Sequence, residues 1–308
     1  MKIYTRLEEI ESLFINEDYR EEFRQVVSHY PFRISEYILS KIVTFSKDDP
    51  IFKQFFPDRA ELVEEGDLDP FLEDETCKNL YLVRRYRDRL LVITTNFCFS
   101  YCRFCMRKRN WLRPTFFFED ISLLEGYLRE NPDVKDVIFS GGDPLSLPNE
   151  LLRDYLKLLR SLDIPVIRIG SRALILSPDT VFEKIPLIKE FSPIWINFHI
   201  NHPAEIDDYI SSITRDLVKC GAILGSQTVL LKGVNDRVDV LSELFSKLVY
   251  IGIRPYYLFH VDPVVGAGHF RVEIDRAIKI IYSLRERLSG LMIPHFAVDT
   301  RDGKRIYP

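Results

Sequence analysis

The chain has no apolar run long enough to cross a bilayer. Its longest, Leu90–Thr95 and Ile223–Leu231, fall far short of the roughly 20 residues a spanning helix needs. It has no basic excess either: 42 Lys and Arg stand against 46 Asp and Glu, a net charge of −4. Duplex nucleic acid is therefore not expected as a partner, because proteins that bind it carry a basic footprint. The N-terminal stretch from Met1 to Glu9 lacks the cationic start and apolar centre of a secretory signal. Cysteine is sparse, five in 308 residues with three crowded together, so a disulfide framework is not expected and Cys77 and Cys220 read as ordinary buried thiols. These absences predict a cytoplasmic protein of a reducing compartment, with no membrane and no nucleic-acid partner. What remains is an ordinary globular composition, 46% hydrophobic and 29% charged, on a chain long enough to bury a full core.

Two regions differ in pattern. Up to about residue 84 the sequence reads as a helical and irregular extension: Leu7, Ile10 and Phe14, then Phe23, Val26 and Val27, keep roughly helical spacing. The acidic stretch Glu61 to Glu75 reads as a solvated surface or linker. Residues 85–308 form the second region, where apolar runs at Leu90–Thr95, Asp136–Ser140, Val166–Gly170, Ile194–His199, Gln227–Leu231 and Pro255–His260 alternate with amphipathic stretches. Repeated strand–helix units predict a parallel sheet wrapped in helices. Right-handed crossovers curl such a sheet, and six units are fewer than the eight of a closed barrel. The expected fold is therefore α/β, a partial (β/α)6 TIM-like barrel with an N-terminal helical extension. Chemistry in such folds gathers at the strand C-termini, where Cys98, Gly141, Ser171, His199 and Asp262 fall.

The crowded cysteines are Cys98, Cys102 and Cys105, on one loop directly after the first strand. Three thiolates spaced by four and three converge on a soft metal centre. A structural zinc would want a fourth ligand, usually in C-x2-C pairs or with nearby histidines, and His29 and His199 are distant in sequence. A four-iron cube normally takes four cysteines; with three, one iron stays open for a small ligand. The second strand ends in Ser140-Gly141-Gly142-Asp143, where glycines permit positive φ and close backbone approach.

The cysteine triplet with Phe104 resembles the signature of radical S-adenosylmethionine enzymes, in which that ligand chelates the open iron. The resemblance narrows to the lysine 2,3-aminomutase family. It is carried by Arg85-Tyr86-Arg87-Asp88-Arg89, Cys102-Arg103-Phe104-Cys105-Met106-Arg107-Lys108-Arg109, Arg168-Ile169-Gly170-Ser171-Arg172, His199-Ile200-Asn201-His202-Pro203, Leu230-Leu231-Lys232-Gly233-Val234-Asn235-Asp236, Arg254-Pro255-Tyr256-Tyr257, Asp262-Pro263-Val264-Val265-Gly266-Ala267-Gly268-His269-Phe270-Arg271 and Phe296-Ala297-Val298-Asp299. It implies a [4Fe–4S] cluster on Cys98, Cys102 and Cys105. It implies S-adenosylmethionine on Ser140, Gly141, Gly142, Asp143, His199 and Gln227. Pyridoxal 5′-phosphate would sit on Lys304, with Arg85 and Arg89 serving its phosphate.

For the substrate, the resemblance implies that Arg107 anchors an amino-acid carboxylate and that Asp262 and Asp299 receive a side-chain ammonium. The implied reaction is that of an isomerase: the α-amino group of L-lysine, or a close basic amino acid, migrates to the β-carbon. An electron donor such as flavodoxin or ferredoxin would reduce the cluster. Full-length members carry a zinc site and a C-terminal assembly segment. Here Arg237 stands where a zinc cysteine is expected, so zinc is not expected, while a homo-oligomer is allowed. The loop before Lys304 is shorter than the family's run of glycines. Three alternatives stay open: an aminomutase acting on a lysine of elongation factor P, a radical enzyme without pyridoxal phosphate, and a non-catalytic metal-binding module.

Overall fold

The computed structural model describes residues 1–10, 13, 17–78 and 81–307; Phe14, read above as part of a helical pattern, lies outside them. Two short strands, β1 (Ile3–Tyr4) and β2 (Ile34–Ser35), pair antiparallel by themselves. The remaining ten are β3 (Cys77–Lys78), β4 (Leu82–Tyr86), β5 (Arg89–Thr95), β6 (Asp136–Gly141), β7 (Val166–Ser171), β8 (Trp195–His199), β9 (Ile223–Leu230), β10 (Arg254–His260), β11 (His295–Thr300) and β12 (Gly303–Tyr307). They form one sheet in sequence order. Neighbours from β5 to β11 run parallel, while β3, β4 and β12 extend the two edges antiparallel. The six expected strand–helix units are all present, with helices at Ile121–Glu130, Asn149–Ser161, Pro178–Phe191, Asp208–Lys219, Val238–Tyr250 and Ile274–Arg287. The sheet therefore starts at Cys77, inside the stretch read as the N-terminal extension.

Two things were not expected from the sequence: the seventh parallel strand β11 and its hairpin partner β12. Together they carry Asp299 and Lys304, which face each other in register. Among the described residues no ladder joins the two edges of the sheet. Side chains close the gap instead. The Arg85 guanidinium donates to the carbonyls of Thr300 and Arg301, and the Tyr86 hydroxyl accepts from Lys304 N at 3.1 Å.

Period-two alternation sorts each strand into two layers. Leu90, Val92, Val137, Phe139, Ile167, Ile169, Ile196 and Phe198 are buried in the helix-covered core. The residues between them, including Arg89, Ile138, Ser140, Arg168, Gly170, Asn197 and His199, line an inner cavity. The covering helices match with apolar faces, as in Leu152, Tyr155, Leu156 and Leu159 at helical spacing. Asp120 and Asp207 cap their helices by accepting from Leu123 N and Ile210 N, each at 2.9 Å.

The N-terminal region grips the cysteine loop through backbone bonds. Tyr101 N donates to Arg33 O at 2.9 Å, Arg103 N to Gln54 O at 2.8 Å, and Ser35 N to Ser100 Oγ at 2.9 Å. The reading of Glu61–Glu75 as solvated surface is corrected here. Glu61 is fully buried and Glu73 nearly so. A buried carboxylate is tolerated only when paired, and cations from the cysteine loop supply the pairing: Arg103 at 2.8 Å and Lys108 at 2.7 Å on Glu61. Burial would push the Glu61 carboxyl up, but these two cations hold it below the usual carboxylate range. Replacing Glu61 by Gln leaves two buried cations without their counter-ion. It is expected to cost about 3–5 kcal/mol of stability, read as a lowered denaturant midpoint; an unchanged midpoint would contradict the role assigned to this cluster. Cys77 and Cys220 are half-buried rather than buried.

Candidate active site

All the residues singled out from the sequence as site candidates line one cavity of about 390 Å³ at the C-terminal ends of the strands. Cys98, Cys102 and Cys105 all line it. Burial pushes the Cys98 thiol well up, with Cys105 and Cys102 adding to the effect, and pushes the Cys105 thiol up to about 11 with Cys102 beside it. Cys98 and Cys105 thus sense neighbouring sulfurs. Among the described residues no three His, Cys, Asp or Glu groups form a site for a single metal ion. A cube makes a different demand, because each thiolate takes its own iron and the sulfurs need only surround a shared volume. Three cysteines lining one cavity fit that demand.

The glycine pair at the end of β6 has a local reason. A Cβ on Gly141, whose φ is +117°, would stand 2.4 Å from Thr95 O, and one on Gly142 would stand 2.2 Å from Phe97 O. Only glycine lets β6 lie this close to the start of the cysteine loop. Asp143 lines the cavity, but its carboxylate serves the protein: it accepts from Ser171 Oγ at 2.7 Å, Arg172 N at 2.8 Å and Leu145 N at 3.1 Å. His199 Nε2 lies 3.1 Å from Asn201 Oδ1. Burial, helped by Arg172, pulls its pKa well below the usual histidine value, so the ring is neutral at physiological pH. Gln227 faces the same cavity from β9.

Lys304 also lines the cavity, from β12. Its Nζ sits 3.2 Å from Asp299 and rests against the rings of Phe259 and Tyr257, at 3.8 and 4.5 Å from their centroids. Burial lowers its pKa, although Asp299 opposes the shift. Arg89 and Arg168 share one carboxylate, Asp136, at 3.0 and 2.5 Å. With Arg85 they leave this end of the cavity cationic. Arg168, which lies within one of the family-like blocks, also lines the cavity. Its signal was a basic residue at an inward strand position.

Asp262 is pushed up to about 7 by burial, with Asp299 adding to the effect and Lys304 and Arg107 opposing it. The two carboxylates and the Lys304 ammonium therefore form one group. Arg107 is already partnered: Nε and Nη2 meet the two oxygens of Glu73 at 2.9 and 2.6 Å. Its Nη1 is left unpartnered among the described residues. Glu73 was missed because it lies in an acidic run that looks like a surface.

The central stretch, residues 92–241, matches the model of the radical SAM superfamily. The L-lysine 2,3-aminomutase of Clostridium subterminale is 36% identical over 98% of this chain and 75% of its own length. The chain belongs to the lysine 2,3-aminomutase family of radical SAM enzymes. The Acetoanaerobium sticklandii L-lysine 2,3-aminomutase is 38% identical over 88% of this chain and 67% of its own. A glutamate 2,3-aminomutase of Clostridioides difficile is 34% identical over 92% and 68%. Among solved structures, a radical SAM methyltransferase from Sphaerobacter thermophilus aligns with a TM-score of 0.53 at 17% identity, covering 73% of this chain and 72% of that one. That likeness supports the partial-barrel fold.

Membership of the superfamily implies a four-iron cluster and S-adenosylmethionine, and the three cysteines lining the cavity fit the first. The family members are isomerases. Among the described residues, no helix is long and apolar enough to cross a membrane.

Proposed function

We propose that this aminomutase uses pyridoxal 5′-phosphate and moves the α-amino group of L-lysine, or a close basic amino acid, to the β-carbon. One observation carries the substrate choice: the Lys304 ammonium pairs with Asp299 at 3.2 Å, and the charge of both acts on the Asp262 carboxyl. Two half-buried carboxylates lining one cavity compensate a cationic side chain and would repel the side-chain carboxylate of glutamate. The cationic wall of Arg85, Arg89 and Arg168 suits a phosphate, since guanidinium forks match phosphate oxygens. Lys304, partly desolvated between aromatic rings, suits covalent attachment of a carbonyl cofactor. The pyridoxal group, when bound, stabilises radical character next to the migrating nitrogen. The protein's own work is to hold the substrate ends apart, keep water out and fix distances.

A second reading has its own support. Because Glu73 neutralises Arg107, the anchor suits a lysine whose carboxylate is tied up in an amide, as on a protein substrate. The paired aspartates accept either form, so the assay must compare them. The protein is reconstituted anaerobically with iron, sulfide, S-adenosylmethionine and pyridoxal phosphate, reduced, and given free lysine or elongation factor P. β-Lysine from free lysine is expected, and borohydride should fix the cofactor on Lys304. If S-adenosylmethionine is consumed without any β-amino acid appearing from free basic amino acids, the substrate assignment fails.

The state of Asp262 gives a pH signature. Below about 7 its carboxyl is neutral, and above it charged. A cationic side chain is therefore held more tightly as pH rises through about 7. The kcat/KM for lysine, which reports the free enzyme's groups, should rise across that interval. Asp262→Asn should flatten the rise; a profile identical to wild type would remove Asp262 from the ammonium site.

A further inference from the structure

We propose that Arg172 is a positioning residue that sets the reduction potential of the cluster by donating a charge-assisted hydrogen bond to the Cys102 sulfur. The inference rests on the reading of the three cysteines as cluster ligands. Arg172 follows β7 and is only 6% exposed. Its Nη1 points at Cys102 Sγ at 2.7 Å. Its Nη2 is used elsewhere, on Gln54 Oε1 at 2.7 Å and Glu205 Oε1 at 2.9 Å. The plane is held by the Phe55 and Phe104 rings, 4.7 and 5.3 Å from the guanidinium carbon. Among the described residues it is the one side chain that donates to any of the three sulfurs; Cys105 accepts from the backbone N of Arg107 at 3.4 Å.

The division of donors separates tuning from architecture. Nη2 ties the N-terminal Gln54 to the loop after β8, and Nε is buried with no partner among the described residues. Nη1 has the sulfur as its partner. Reducing a cluster adds one electron, spread over iron and sulfur. A cationic donor on a ligand sulfur stabilises the reduced form more than the oxidised one and raises the potential. Burial strengthens the effect, because little water screens it. Glu205 offsets part of the charge and also accepts from Asn201 N at 2.6 Å, while Asn201 Oδ1 lies against His199. The Cys102 environment is thereby linked to a residue assigned to S-adenosylmethionine.

The test is a potentiometric titration, followed by electron paramagnetic resonance, of the reconstituted 308-residue chain. Wild type, Arg172→Gln and Arg172→Lys are compared, each with its iron and sulfide content. Arg172→Gln should reduce the ratio of reduced to oxidised cluster about tenfold at the wild-type midpoint, equal to about 59 mV for a one-electron couple. Arg172→Lys, which keeps the cation without the fork, should fall less. A second measurement needs no variant to fold. With ¹⁵N placed only in arginine guanidinium groups, the reduced wild-type cluster should show a ¹⁵N coupling. A wild-type chain that takes up no four-iron cluster overturns the cluster reading and this proposal with it. A cluster that forms but has no such coupling, or an unchanged midpoint in Arg172→Gln, overturns this proposal alone. Lowered iron content at an unchanged midpoint does the same, since it marks a structural role only.

Discussion

Replacing Cys102 by alanine is expected to abolish S-adenosylmethionine cleavage while leaving the chain folded. The loss should be on the order of 10³-fold or more, as for a group that acts as one part of a unit. The triplet has no spare member: with Cys102 gone, two protein thiolates remain for four irons, against the four that such clusters normally take. The fold has more redundancy. The cysteine loop is held by backbone bonds from Tyr101 and Arg103 to the N-terminal region, by Ser100, and by the Arg103–Glu61–Lys108 cluster. Arg172 keeps Gln54 and Glu205 after the sulfur is removed. Losing one buried sulfur costs only about 1 kcal/mol of apolar burial. The measurements are iron and sulfide per chain, the reduced-cluster signal, and 5′-deoxyadenosine formed under reductant. A Cys102→Ala chain with a full cluster and wild-type cleavage would remove Cys102 from the ligand set.

The repeating architecture was legible because two periodicities with different physical causes alternate. Buried parallel strands read as apolar, β-branched runs, and the helices that cover them read as amphipathic stretches. The cysteine loop was legible because three thiolates at close spacing have few other uses. What escaped was long-range charge pairing. Glu61 and Glu73 look like surface acids in sequence, and only the fold shows that Arg103, Lys108 and Arg107 neutralise them across 34 to 47 residues of chain. β11 escaped for a related reason: its run His295–Thr300 ends in polar residues that the inner cavity, not solvent, explains. Lys304, expected from the resemblance to be the cofactor lysine, stands on β12, which folds back on β11 and places it opposite Asp299. Glu61 and Glu73 were misread because polarity was taken to mean water.

Changing Asp262 and Asp299 together to asparagine is expected to lower kcat/KM for lysine by roughly 10²–10³-fold, the equivalent of removing the partners of one buried charge. The side-chain ammonium would then enter a desolvated cavity with amide dipoles but no counter-charge, and a charge left unpaired there is costly. The two single variants should differ in kind. Asp299 is the partner of Lys304 at 3.2 Å, so Asp299→Asn disturbs the lysine assigned to the cofactor as well as the substrate. Asp262 has no such bond, and its loss should fall mainly on substrate binding. Asp262→Asn should therefore raise KM for lysine while leaving the borohydride-fixed cofactor yield on Lys304 unchanged. Asp299→Asn should alter both. An amino acid of similar length with a neutral side chain supplies the control: its turnover should change little in the double variant, because it brings no charge to be compensated. If lysine and the neutral analogue lose activity equally, the aspartates are holding the cavity's shape rather than reading the substrate's charge, and the preference for a basic amino acid must lie elsewhere.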